Sequence, residues 1–261
     1  MMKQVMSLAI VAVMCMTMMS CTSVNIGNGG VDKTPTQVQA VNQVTTMSPF
    51  DEVEIAGGYK VVYEQGSAHS VRIEASEQAF NEMTVYVKDR ELRIRKSVSK
   101  PTESQKNVKV YVTSPVLKMI DLAGSGVFAA SNPINVGNDL DVDISGSGQV
   151  LLTAVTCNDS DLDIAGSGNI EFGQLKVNNV EADIAGSGNI NFGTLACNDL
   201  DIDITGSGDV NCVNINAVGV HTEIAGSGNV NLKGKIQHLS KDIAGSGKVN
   251  YTETTAPDTI Q

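Results

Sequence analysis

Asp161-Leu162-Asp163-Ile164-Ala165-Gly166-Ser167-Gly168-Asn169-Ile170 is one of seven copies of a ten-residue phrase in this chain. The others are MIDLAGSGVF from Met119, DVDISGSGQV from Asp141, EADIAGSGNI from Glu181, DIDITGSGDV from Asp201, HTEIAGSGNV from His221 and SKDIAGSGKV from Ser240. Their first glycines are spaced by 22, 20, 20, 20, 20 and 19 residues. A fixed period near twenty marks a stacked-coil solenoid, in which each repeat buries its apolar side only against its neighbours.

Aligning the copies on the first glycine assigns a direction to each column. Two residues before it stand Leu122, Ile144, Ile164, Ile184, Ile204, Ile224 and Ile243, an aliphatic ladder that faces the core. After the turn, Val150, Ile170, Ile190, Val210, Val230 and Val249, and then Leu152, Phe172, Phe192, Cys212, Leu232 and Tyr251, form a second inward face. Pairs such as Leu175 and Val177 suggest a third short strand, so each coil has two or three. Stacked coils pair such strands in parallel about 4.8 Å apart. Parallel crossovers are right-handed, so the expected fold is all-β, a right-handed parallel β-helix with about 20 residues per coil.

Gly-Ser-Gly falls where one strand must turn into the next. Glycine reaches positive φ without steric cost, and the serine hydroxyl can bond its equivalent one coil along. A phosphate-binding loop would need a helix after the glycines, and none is indicated. The nucleophile-elbow spacing Gly-x-Ser-x-Gly is absent as well.

One residue from the isoleucine ladder, and so on the opposite side of the strand, stand Asp121, Asp143, Asp163, Asp183, Asp203, Glu223 and Asp242. Asp141, Asp161, Glu181 and Asp201 lie two residues further back. Like charges about 4.8 Å apart repel by about 0.9 kcal/mol even in water. Asp143, Asp163, Asp183 and Asp203 are therefore the candidate cation- or partner-binding residues. No cofactor is expected; calcium is the ion this ladder could take, although the Gly-Gly-x-Gly-x-Asp calcium repeat is missing and calcium wants six to eight oxygens in a shaped loop. A solvated acidic face is the simpler reading.

The first half of the chain has another texture. Met1–Ser20 carries one charge, Lys3, then an apolar run ending in Ser20-Cys21, as in a bacterial lipoprotein signal that leaves Cys21 as the lipid-bearing first residue. Residues 21–46 read as a flexible tether. Residues 47–118 alternate with period two in several short runs and read as β-strands that cap the solenoid. A single helical turn is expected between Glu77 and Met83. Residues 119–251 are the β-helix and 252–261 a polar tail. Arg90, Arg93, Arg95, Lys96, Lys100, Lys106 and Lys109 form a basic cluster, read as a solvent face that discourages edge pairing.

Composition sets further bounds. The net charge is −11, and it is unevenly placed: residues 1–118 hold 13 Lys and Arg against 11 Asp and Glu, residues 119–261 hold 5 against 18. An acidic solenoid repels nucleic acid. There is no tryptophan and there are ten other aromatics, too few for the ring-stacking platforms of neutral-sugar sites. Cys157 and Cys197 share a column two coils apart, beyond disulfide reach; with Cys212 they read as free thiols. His69, His221 and His238 sit in no motif with serine or cysteine.

The lipoprotein-like signal, Ser48-Pro49-Phe50-Asp51-Glu52-Val53-Glu54-Ile55, Val71-Arg72-Ile73-Glu74-Ala75, Glu91-Leu92-Arg93-Ile94, the strand ending at Pro115 and the repeated Gly-Ser-Gly together resemble the auto-transporter adhesin head (GIN) domain family of Bacteroidetes-type bacteria. The resemblance covers about residues 46–251. It implies a right-handed β-helical, secreted or envelope-anchored protein with an adhesion role and no catalytic residues to carry over. The function expected first is thus a non-catalytic lipoprotein of the outer membrane that binds a glycan or protein. A structural module that self-associates through an uncapped last coil is the second reading, and a polysaccharide-acting β-helix enzyme the third.

Overall fold

The computed structural model describes residues 41–100 and 105–254. The expected leader, Cys21, most of the tether and the tail from residue 255 lie outside the described residues. Strand makes up 70% of the chain and helix 3%.

The N-terminal part contains β1 (Val44–Thr46), β2 (Glu52–Gly57), β3 (Lys60–Gln65), β4 (Ser70–Glu74), α1 (Glu77–Asn81), β5 (Met83–Lys88), β6 (Glu91–Lys96) and β7 (Lys109–Ser114). The repeats supply β8 (Met119–Gly124), β9 (Val127–Ala130), β10 (Ile134–Asn135), β11 (Leu140–Gly146), β12 (Gln149–Thr156), β13 (Asp159–Gly166), β14 (Asn169–Lys176), β15 (Asn179–Gly186), β16 (Asn189–Ala196), β17 (Asp199–Gly206), β18 (Asp209–Gly226), β19 (Asn229–Gly245) and β20 (Lys248–Glu253). They form a parallel β-solenoid of about seven turns with about 20 residues per turn.

Two ladders run the length of the stack. On one side β8, β11, β13, β15, β17 and the second halves of β18 and β19 pair in parallel, each aliphatic side chain over the next: Leu122, Ile144, Ile164, Ile184, Ile204, Ile224, Ile243. On the other, β9, β12, β14, β16, the first halves of β18 and β19, and β20 do the same. Alternation breaks once in each of β12, β14, β16 and β18 on this side. Ile170 and Phe172 are buried, Gly173 and Gln174 are exposed, and Leu175 is buried again. The strand therefore bends there and presents a third inward face. The Phe172 and Phe192 rings stack at 5.7 Å with 12° between planes.

Both glycines of each corner are required by the coil before. Gly166 has φ 129°, and a Cβ added to it would sit 2.5 Å from the carbonyl oxygen of Gly146. A Cβ on Gly168 would sit 2.5 Å from Cγ2 of Ile144. The first glycine admits the backbone of its neighbour and the second admits its core side chain. The expected serine-to-serine ladder is not what joins the corners: Ser147, Ser167, Ser187 and Ser207 are exposed. The backbone N–H of Ser167 donates to the Gly146 carbonyl at 2.7 Å instead, and that of Ser187 to Gly166 at 2.8 Å. A hydroxyl that faces water gains nothing by reaching across to its copy, whereas the backbone groups must pair to stack.

The N-terminal strands do more than cap. β2 and β3 form a coil against β8 and β9 in the same registers, and β6 and β7 form another beyond it. Only then does the direction reverse, with β5 antiparallel to β6 and β4 antiparallel to β7. Ser76 caps α1, its Oγ accepting from the Ala79 N–H at 3.1 Å. Two boundaries differ from expectation. Val44–Thr46, placed in the tether, pairs antiparallel with Ser70–Arg72, and Thr252 and Glu253, placed in the tail, pair with Lys233 and Gly234. Both are polar stretches held by backbone pairing, which leaves no apolar pattern to read.

Candidate binding face

The outward side of the first-strand ladder is a wall of carboxylates. Asp121, Asp143, Asp163, Asp183, Asp203, Glu223 and Asp242 stand in register, each opposite the next. Asp141, Asp161, Glu181 and Asp201 form a second column beside them. All four predicted site residues, Asp143, Asp163, Asp183 and Asp203, thus come together on one surface. Cys21 lies outside the described residues.

No cation of the solenoid neutralises this wall: among the described residues the one ion pair on these two columns is His221 with Glu223. The consequence appears in the protonation of the aspartates. Burial first, then the charges of Asp163 and Asp121, push Asp143 up to about 6. Burial and the charges of Asp163 and Asp203 push Asp183 up to about 6 as well. Asp121, Asp141, Asp161 and Asp203 are raised by the same causes in the same order.

Three depressions open on this wall. One of about 430 Å³ is lined by Asp141, Asp159, Asp161, Glu181 and Asp201 among others. The second, about 670 Å³, continues it toward the C-terminal end past Asp199 and Asp201 to His221, His238 and Ser240. The third, about 240 Å³, lies between Asp203, Glu223 and Asp242. The carboxylates in their lining accept hydrogen bonds and positive charge. Among the described residues no three His, Cys, Asp or Glu side chains are grouped to hold a metal ion.

The three arginines of the basic cluster are spent on carboxylates of the N-terminal part. Arg90 grips Asp51 through Nε at 3.1 Å and Nη2 at 3.0 Å, and Lys118 Nζ lies 3.0 Å from the same carboxylate. Burial raises Asp51, but hydrogen bonds from Arg90 and Lys118 outweigh it and hold the group below its ordinary 3.8. Arg95 Nε donates to Glu54 at 2.6 Å, and Arg93 Nε donates to Glu91 at 2.5 Å. Arg72 pairs with Glu74 at 2.5 Å and stacks 3.9 Å over the Tyr111 ring.

Two groupings escaped sequence reading. His221 contacts Ser240 through Nδ1 at 2.8 Å and Glu223 through Nε2 at 3.2 Å, so one histidine does meet a serine and a carboxylate. The group lies exposed on a sheet surface, without the buried acid and oxyanion donors that make such a trio hydrolytic. Asn191, Asn211, Asn231 and Asn250 form a side-chain ladder, the last three each donating Nδ2 to the Oδ1 before it at 2.8–3.0 Å, while Asn191 donates to Asn169 at 3.0 Å; the ladder's fixed offset from Gly-Ser-Gly was the available signal. Cys157, Cys197 and Cys212 are free, and burial pushes their thiols up to about 12, 12 and 11, which keeps them unreactive.

Residues 49–218 match the family model described as "Putative auto-transporter adhesin, head GIN domain". A "putative adhesin" of Bacteroides fragilis NCTC 9343 superposes with a TM-score of 0.71 at 22% identity, covering 84% of this chain and 98% of its own. One from Parabacteroides merdae ATCC 43184 reaches 0.67 at 25% identity over 80% and 95%. A Parabacteroides distasonis ATCC 8503 structure named "Putative lipid binding protein" reaches 0.69 at 24% over 85% and 98%. No curated protein matches the chain.

Proposed function

The chain belongs to the auto-transporter adhesin head (GIN) domain family, and from that premise we propose a non-catalytic cell-envelope protein, lipid-anchored at Cys21 in the outer membrane, whose acidic wall binds a protein or glycan partner. The observation that carries this reading is the wall itself: in-register carboxylates through seven coils, without lysine or arginine pairing among the described residues. Such repulsion is costly to maintain in a fold that needs only solubility on that face. A partner bringing basic side chains, or sugar hydroxyls that donate to carboxylates, relieves it. An elongated flat face suits an extended partner better than a small substrate, and supports the non-catalytic reading over a polysaccharide-acting enzyme.

The name of the lipid-binding neighbour raises an acyl ligand as an alternative. The depression around Asp141, Asp161, Glu181 and Asp201 is open and lined mostly by carboxylates, which suits cations and hydroxyls rather than acyl chains; the one beside it adds Leu200, Val220 and Leu239 to Asp199, Asp201 and two histidines. Calcium at this wall belongs to a diffuse counter-ion atmosphere in this reading, not to a resident site.

The test immobilises the protein beside the variant Asp143→Asn/Asp163→Asn/Asp183→Asn/Asp203→Asn and offers both a glycan panel and detergent-solubilised envelope extract. The wild type should retain a partner that salt releases, and the variant should retain at least tenfold less. Equal retention by both, or none by either, would overturn the proposal.

A further inference from the structure

The last coil leaves its edges open. Among the described residues no strand pairs with the outer edge of the second half of β19 or of β20. The side chains that continue the core there, Ile236, Leu239, Ile243, Val249 and Tyr251, are only partly buried. Two unpaired strand edges over an apolar floor are a template for strand addition.

One inward column breaks the pattern. Reading along the stack it runs Leu92, Val53, Ile120, Val142, Leu162, Ala182, Ile202, Thr222 and finally Lys241. The apolar members are at most 1% exposed. Thr222 is 0% exposed and its hydroxyl has no hydrogen-bond partner. In-register parallel partners project to the same side of a sheet, so Lys241 stands over Thr222 on the core side while its neighbours Leu239 and Ile243 continue the apolar floor. Its ammonium reaches water because no strand of the described residues stacks beyond it.

We propose that Lys241 closes the C-terminal end of the solenoid against strand addition by a second copy of this chain. A copy stacking on β19 would bury the ammonium beside an already unpartnered hydroxyl; Asp242, next in sequence, faces the outer wall, and the carboxylate that continues an inward column, Glu253 over Gly234 and Ile215, stands on β20 and not on β19. Desolvating an unpaired charge opposes the gain from covering the five apolar side chains. The edge of β19 thus has the shape of an interface and an inward lysine that refuses it. Lys235 and Lys248 are exposed, beside the inward-facing Ile236 and Val249, and their charges remain in water when a strand is added.

Light scattering of the purified protein over a hundredfold range of concentration tests this position by position. The wild type and Lys248→Ile should keep the monomer mass throughout. Lys241→Ile should at least double its mass at the upper end, and Lys241→Met, which keeps the side chain's length and drops its charge, should follow it, with unchanged circular dichroism. A wild type that already associates, a Lys241→Met that folds and stays monomeric, or a Lys248→Ile that associates as strongly as Lys241→Ile would each overturn the assignment.

Discussion

The N-terminal cap and the first-strand wall use the same residue types on the same ladder and treat them oppositely. In the cap, Asp51 is held by Arg90 and Lys118, and Glu54 by Arg95, both carboxylates at most 8% exposed. In the wall, Asp143 and Asp183 meet chiefly other carboxylates. The result is a lowered Asp51 and a raised Asp143, although desolvation acts upward on both. Paired charge at the cap ties coils together; unpaired charge along the wall does nothing for the fold and is available to a partner.

The contrast breaks most visibly in the cap. Arg95→Ala leaves Glu54 nearly buried with only the longer contact to Arg93, 3.6 Å away, and should lower stability by about 1–3 kcal/mol in denaturant unfolding. In the wall the opposite sign is expected. Asp143→Asn/Asp183→Asn removes like-charge contacts worth about 0.9 kcal/mol each at strand spacing in water, less in salt, and should raise the melting temperature at pH 7.5 and low ionic strength.

The pH dependence follows with its sign. A carboxylate raised to about 6 when folded destabilises the fold above that value, and the penalty is relieved as pH falls from 7 toward 5. Asp51, lowered when folded, contributes stability present above 3.8 and lost as pH falls below it. The melting temperature of the wild type should therefore rise between pH 8 and pH 5 and fall again below about pH 4. In the double asparagine variant the rise should flatten while the acid limb remains. The smallest effect is calcium's: at matched ionic strength, melts with chelator and with millimolar calcium should coincide, and a calcium-specific rise would show a resident site instead of an atmosphere.

Much of this was legible before any coordinates. The Ile144–Ile164–Ile184–Ile204 ladder and its carboxylate companions follow from two superposed periods, two along the strand and twenty between coils, so core and wall separate without ambiguity. Other features had no local signal. That β2 lies between β6 and β8, and β3 between β7 and β9, cannot be read from alternation, because strands with the same pattern carry no label of their neighbours. The meeting of His221 with Ser240 depends on the last coil being 19 residues long, a detail that matters only once the register is known. The corner serines misled because a repeated hydroxyl looks like a bonding ladder; the backbone had already satisfied the corner. Arg90 and Arg95 could not be assigned to Asp51 and Glu54, about 40 residues upstream, until the coils were stacked.

The most direct test is to titrate the side-chain carboxyl carbons of Asp51, Asp143 and Asp183 by NMR in one sample. The wall-and-cap contrast predicts midpoints near 6 for Asp143 and Asp183 and one below 3.8 for Asp51. Three midpoints clustered near 3.8 would contradict it, because the wall would then carry no unrelieved charge for a partner to answer.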